Sequence, residues 1–588
     1  MRENHYSFIL MKRLLFWLLC MLTLTVNLHA ESEHNIIEHS GDRYVINVEA
    51  LKPDKEMTLM DVLQICPELV SANGKRITGS FELRVDNITL TMDDEAMLEH
   101  LKASEINTVE VYLYTSVAIS GAGNGGIIDV YLRQQEDGKT SGKLQMEGST
   151  RGNGKVYADV TTRDKNVTLR GYALTNLGYA RGSLEDYDWF SSRQGVENMH
   201  LSADWDISED DNLKIKLFQV FQDSKHRFGS GQDDYCLPEL QRYGMAVASY
   251  THTLNERGAT LLAEGGADYL NQSTGELKQR RAFTYFFAET SQPCLDNDLT
   301  VLAGWEIDYD NLWNTGYDRQ QMMFNDLYLQ LDYAKGPWML TLGDRFRITN
   351  YWHRTYDTED ALLWNNNRVE NSFLASAGYK AGKHFVQAIF NRDYFVPLVD
   401  DLYSGYNTET NRLTHRTGYQ TPLICSTEGR YAYQNENLVV SGGAFHSWTT
   451  HSAGFDEQLT GVRSAVTWLQ GPLRLTAGAD FFHDCLNAAD YTGSRHDNYF
   501  NLRLMPSLQL AGGVRVSSRL LYNSRRSLLA QTHPHLYASV KASKDIGQHI
   551  TLYADFHDLA GAPGMYSLQL GSSYDDRALT LGFIYRFR

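Results

Sequence analysis

Gly121, Gly123 and Gly126, in the stretch AISGAGNGGIIDVYLR, spell G-x-G-x-x-G, a spacing that lets backbone approach a dinucleotide pyrophosphate. That chemistry also needs a helix directly after the glycines, because the helix N-terminus holds the phosphates. Ile127 to Leu132 follow instead, a β-branched and aromatic run that reads as strand, so no cofactor is expected. His533 and His535 flank Pro534, and His483, Asp484 and Cys485 are consecutive. Each group has too few ligands for a complete metal shell, and exposed or internally bonded histidines are the simpler expectation. Asp233, Asp234 and Asp318 would attract a cationic chelate, although acidic loop tips are ordinarily just solvated. Neither G-x-S-x-G nor H-E-x-x-H occurs, and scattered Ser and His do not assemble a catalytic group by spacing alone. No enzymatic activity is expected.

The elements that must position these residues begin after an export signal. MKRLLFWLLCMLTLTVNLHA has a basic start, an apolar run and Ala30 before the polar ESEH, which reads as a secretory signal peptide over residues 1–30. Leu19 ahead of Cys20 disfavours lipoprotein acylation. Cys66, Cys236, Cys294, Cys425 and Cys485 are widely spaced and odd in number, so free, mostly buried thiols are expected rather than a disulfide framework. The 588-residue chain carries a formal net charge of −18, which disfavours nucleic acid as a partner, since phosphate binding needs clustered Lys and Arg.

From about Gly142 onward the pattern has period two. Leu579, Leu581, Phe583, Tyr585 and Phe587 alternate with smaller or polar residues, and the runs from Leu473 and from Ile550 behave likewise. The runs reach about ten residues, enough for a tilted transmembrane strand. Their second face is too polar for a dry core and suits a wet lumen. Short turn-rich connections, such as RDKN at Arg163, KGP at Lys335 and QGP at Gln470, alternate with long polar and aromatic ones. About ten short turns imply a transmembrane antiparallel β-barrel of about 22 strands, with YSLQLGSSYD left in the last external loop so that the number stays even.

Ahead of the barrel lies a small α/β region. Thr58 and Asp61 form a capping-box pattern before Leu59, Val62 and Leu63. ELRVDNITL then reads as a strand or hairpin, DDEAMLEHLKA as a second helix and NTVEVYLYT as a strand, before the glycine segment. MTLMDVLQICPELV, with Thr58, Asp61, Leu63 and Pro67, resembles the helix that opens the plug of the TonB-dependent receptor family of Gram-negative outer membranes. INTVEVYLYTSVAISGAGNGGIIDVYLR, with Glu110, Gly121, Gly123, Gly125 and Gly126, is similar to that plug's closing strands, and ALTLGFIYRFR to the family's last barrel strand. Glu68 stands where the family prefers glycine and Asp129 where it prefers asparagine.

This resemblance implies four segments: the signal peptide, a periplasmic segment 31–56, a plug domain 57–139 and the barrel 140–588. It implies an outer-membrane transporter for a scarce ligand, a metal chelate, vitamin or oligosaccharide, with a surface-exposed binding barrel without energised transport as the alternative. Implied partners are outer-membrane lipid and lipopolysaccharide, a small ligand, and the periplasmic domain of TonB, which captures a "TonB box" by strand addition. Tyr44, Val45, Ile46, Asn47 and Val48, or else Asn35, Ile36 and Ile37, are the candidate box, and either is equally a candidate first plug strand. Tyr187, Trp189, Trp313, Tyr317, Trp352, Tyr356 and Trp364 are candidate loop contacts for ligand, weighed against an interfacial aromatic girdle.

Overall fold

Alternation along the chain is realised as one closed, antiparallel wall of 22 strands around a small mixed sheet. The computed structural model describes residues 36–587 apart from several stretches. The longer of these are 70–81, 90–97, 113–125, 356–362, 395–402, 416–422, 451–455, 488–495, 525–533 and 560–572. The shorter are 41–42, 52, 54–56, 67–68, 87, 99–100, 185–186, 231–232, 276, 315–317, 408–411 and 575–576. The signal peptide, Pro67, most of the expected second helix, Gly121, Gly123, Gly125, Tyr317, Tyr356 and His533 lie outside the described residues.

In the wall, Leu201, Leu217, Leu327, Leu342, Leu502, Leu552 and Leu581 point outward as an exposed apolar band, which only lipid would cover at little cost. Trp205, Trp338, Tyr379 and Trp468 stand on the same outer face beside the short turns, Trp338 and Tyr379 touching edge to face at 4.8 Å. That is the girdle of one membrane interface. Strands such as Asp233–Thr253 and Trp338–Thr355 run well past the ~10 residues that a bilayer needs. The barrel closes where Ala578–Phe587 pairs with Thr140–Ser149. Ile550–His557 pairs directly with Ala578–Phe587, so Ser573–Tyr574 adds only a short bridge to Val167–Leu184 and no wall strand.

The lumen holds strands β1 (Ile37–Ser40), β2 (Arg43–Asn47), β3 (Glu82–Val85), β4 (Ile88–Thr89), β5 (Ile106–Tyr112) and β6 (Ile127–Leu132). Their order is β1-β2-β5-β6-β3-β4, antiparallel except for β3 beside β6. Thr58 caps helix α1 (Leu59–Leu63) with the capping box in place: the Asp61 N–H donates to Thr58 Oγ1 at 3.3 Å and the Thr58 N–H to Asp61 Oδ2 at 3.0 Å. Leu59, Met60, Val62 and Leu63 bury against Tyr44, Ile46, Val109, Val111, Ile128 and Val130, the apolar face of the sheet. Gly126 enters β6 with φ at +138°, a conformation that favours glycine, and a strand follows it rather than a helix.

The open choice for Tyr44 to Val48 falls on the plug side. Residues 37–47, expected in a separate periplasmic segment, are the plug's first hairpin, because alternation puts Tyr44, Ile46 and Val48 into the plug core. Cys66 is buried as expected, but Cys236 is exposed and Cys294, Cys425 and Cys485 are half-buried, all as free thiols.

Candidate functional site

Whatever crosses this barrel must pass the plug, so the site is built from the plug's attachments to the wall. The sheet's second face is polar. Val45, Glu110, Asp129 and Arg84 form one rung across β2, β5, β6 and β3. Arg43 bridges to Glu110 at 3.1 Å, and the Tyr112 hydroxyl donates to Glu110 at 2.8 Å. Burial, then the Asp129 and Glu110 carboxylates, push the Tyr131 hydroxyl far up, so it remains a donor, directed at Asp129 at 3.4 Å. Arg84 lies within electrostatic reach of Glu264 and Glu289 in the wall.

Three ion pairs attach the plug to the wall, each a plug carboxylate on a wall cation. Glu105 accepts from Lys143 at 2.6 Å, Asp86 from Arg170 at 2.6 Å, and Asp61 from Arg519 at 2.8 Å. Lys216 Nζ donates to the Val85 carbonyl at 2.5 Å. Gln434 takes the place of a neighbouring strand at β1: its Oε1 accepts from the Ile37 N–H at 3.0 Å and its Nε2 donates to the Ile37 carbonyl at 2.5 Å. Sequence reasoning found Asp61 through its cap but missed these pairings, since partners hundreds of residues apart leave no local pattern.

Asp61 permits a pH statement. Burial alone would raise its carboxyl, but the nearby Arg519 and Arg474 guanidiniums and the Thr58 N–H outweigh burial and hold it well below the usual carboxylate range. A carboxyl depressed on folding contributes stability that is complete above its unfolded pKa and is lost as pH falls through the folded one. Hydrogen-exchange protection of α1 is therefore expected to be equal at about pH 7 and about pH 5, and to fall only below about pH 4. A loss between pH 7 and 5 would refute the Asp61–Arg519 lock.

The candidate sites separate. Tyr44 to Asn47 form an inner strand paired on both edges, so they offer no free edge for strand addition while the plug is docked. Trp313 and Trp352 lie in strands rather than loops, on the same alternation as the outward-facing Trp305 and Phe346. The strand backbone includes Tyr187, Trp189 and Trp364 as well. His483, Asp484 and Cys485 are split by the strand pleat, with only Asp484 on the inward, buried alternation, and His483 bonds Asn498 at 2.9 Å. No cluster of three metal-binding side chains occurs among the described residues.

The inner wall also carries an ion network that its own sequence did not advertise. Asp326, fully buried, accepts from Arg345 Nε at 2.8 Å and Arg347 Nε at 2.9 Å, and Arg345 also meets Glu306. These charges neutralise one another within the wall, which suits a wet lumen and not a dry core.

Known structures share this architecture. The chain superposes on the ferric yersiniabactin uptake receptor FyuA from Yersinia pestis with a TM-score of 0.71 at 11% identity, covering 95% of this chain and 99% of that one. It matches the alcaligin outer-membrane receptor FauA from Bordetella pertussis with a TM-score of 0.65 at 12% identity, over 94% and 95% of the two chains. The copper transporter OprC matches with a TM-score of 0.71 at 10% identity, over 95% and 100%. No family model matches the chain, and no curated protein does. The plugged 22-strand barrel is the fold of TonB-dependent receptors.

Proposed function

We propose that this chain is an outer-membrane importer of TonB-dependent-receptor type, delivered by the signal peptide of residues 1–30 to the outer membrane of a Gram-negative cell. The observation that carries the reading is a plug held in the lumen and fastened to the wall largely through discrete, breakable polar contacts, Asp61, Asp86 and Glu105 on wall cations and Ile37 on Gln434. A plug meant as a permanent stopper would gain more from a continuous apolar interface. Cargo is a scarce ligand taken up from outside, such as a metal chelate, vitamin or oligosaccharide. The fold supports this whole class without choosing within it, as a ferric yersiniabactin uptake receptor and a copper transporter both match it.

A second reading, a surface-binding barrel without energised transport, is favoured by one observation: the candidate box is locked inside the sheet. Growth of a deletion strain on single iron, vitamin and glycan sources, with and without TonB, separates the two. Import requires a source on which growth depends on both this chain and TonB. Dependence on this chain alone would establish the second reading and overturn the first.

A further inference from the structure

Inward-facing rings cover inward-facing glycines at several points of the wall, a single phenylalanine, Phe385, over Gly378 and a pair of them at one other point. Over Gly266, Gly304 and Gly582 the ring is a tyrosine anchored through its hydroxyl to a glutamate. Tyr285 donates to Glu264 at 2.9 Å, Tyr328 to Glu289 at 2.9 Å, and Tyr553 to Glu147. Over Gly461 the rings are Phe445 and Phe482, its direct neighbours on the two flanking strands. Tyr499 continues the same rung and stacks on Phe482 at 4.8 Å with 20° between planes. Arg463 caps this shelf, its guanidinium carbon 4.1 Å from the Phe445 centroid and 6.0 Å from that of Phe482.

Other lumen-facing arginines that stack on rings also grip a carboxylate. Arg345 and Arg347 hold Asp326, Arg430 holds Glu428 at 2.9 Å, and Arg281 holds Asp310 at 2.9 Å. Arg463 makes no hydrogen bond and no ion pair among the described residues. Asp480, opposite it in register, turns to Arg503 at 3.7 Å instead. A half-buried guanidinium thus keeps its donor edges unused, on an aromatic floor that fixes its position. Phe445 and Phe482 are buried in this shelf, and Arg463 and Tyr499 are its half-buried members. Val439, on the strand of Phe445, touches the plug core, and Phe445 lies six residues further from the short turn, about 20 Å along the strand.

We infer that Arg463, Phe482 and Tyr499 form a subsite above the plug for a planar aromatic anion, the class of an aromatic carboxylate. The carboxylate accepts from the guanidinium fork, and the ring lies against the Arg463–Tyr499 surface. This deepens the importer reading by naming a ligand class, but binding itself needs no transport.

Saturation-transfer NMR on the purified full chain in lipid nanodiscs tests it, with benzoate, cyclohexanecarboxylate and benzyl alcohol as probes. Benzoate is expected to bind best, and Arg463→Gln to weaken it by about tenfold or more, the loss expected for a charge-assisted hydrogen bond. Tyr499→Leu, which also serves if Arg463→Gln does not fold, is expected to erase the preference for benzoate over cyclohexanecarboxylate. No benzoate signal at millimolar concentration, equal binding of the three probes, or unchanged benzoate binding in both variants would overturn the subsite. Absence of benzoate binding with chain-dependent, TonB-dependent growth intact would overturn the subsite and leave the importer standing. Binding intact with no such growth would do the reverse.

Discussion

Replacing Gly304 with alanine is expected to destabilise the barrel by about 3 kcal/mol, the combined cost of overpacking and a lost buried hydrogen bond. A Cβ at Gly304 would lie 2.7 Å from Cε2 of Tyr328 and nearer still to its Cζ and Oη. Tyr328 cannot swing away freely, since Glu289 holds its hydroxyl at 2.9 Å and Arg345 stands over its ring at 5.3 Å. Moving the ring would therefore disturb the ion network around Asp326 as well. Urea unfolding followed by heat-modifiable gel mobility measures the loss. Gly429→Ala, where nothing lies within 4 Å of the added carbon, is the control and should be nearly neutral. Tyr328→Ala and Gly304→Ala together should cost less than the sum of the two single losses, because directly opposed residues couple. A Gly304→Ala chain as stable as the control would show that the ring does not depend on the glycine.

The second large effect concerns the plug. Truncating Lys143, Arg170 and Arg519 together to leucine removes the wall's side of three ion pairs and leaves the capping box of α1 intact. Each substitution strands a plug carboxylate against the wall at about 1.5–2 kcal/mol, and such widely separated sites add. A total of about 5 kcal/mol raises the undocking constant by three to four decades, since 1.4 kcal/mol is about tenfold. Hydrogen exchange should rise across α1, β3 and β5 while the wall strands stay protected. Exchange unchanged in the plug would mean that the remaining contacts, those of Lys216, Gln434 and Val439, suffice without the three ion pairs.

How much of this was legible in the sequence divides along physical lines. Strict alternation from Leu579 to Phe587 and glycine- and proline-marked turns fix strands and their parity, because the bilayer imposes one face and the wet lumen the other. The capping box of Thr58 and Asp61 was legible because both partners lie within one turn. The aromatic residues Trp313 and Trp352 looked like loop residues because strand beyond the bilayer has no apolar face to announce it. Tyr44 to Val48 fitted both a free strand and a plug strand, since five alternating residues carry the same pattern in either place. The lock between Asp61 and Arg519 spans 458 positions and depends on barrel closure, which no local window contains. Arg463 was invisible for the same reason: its meaning is the carboxylate that does not reach it.

Single-channel conductance in planar bilayers is the most direct measure of a barrel held shut by a docked plug. The intact chain should show no steady open channel, whereas the Lys143→Leu, Arg170→Leu, Arg519→Leu triple variant should show frequent, large openings of the bare barrel. A steady large conductance in the intact chain, or equal currents from the two proteins, would contradict it.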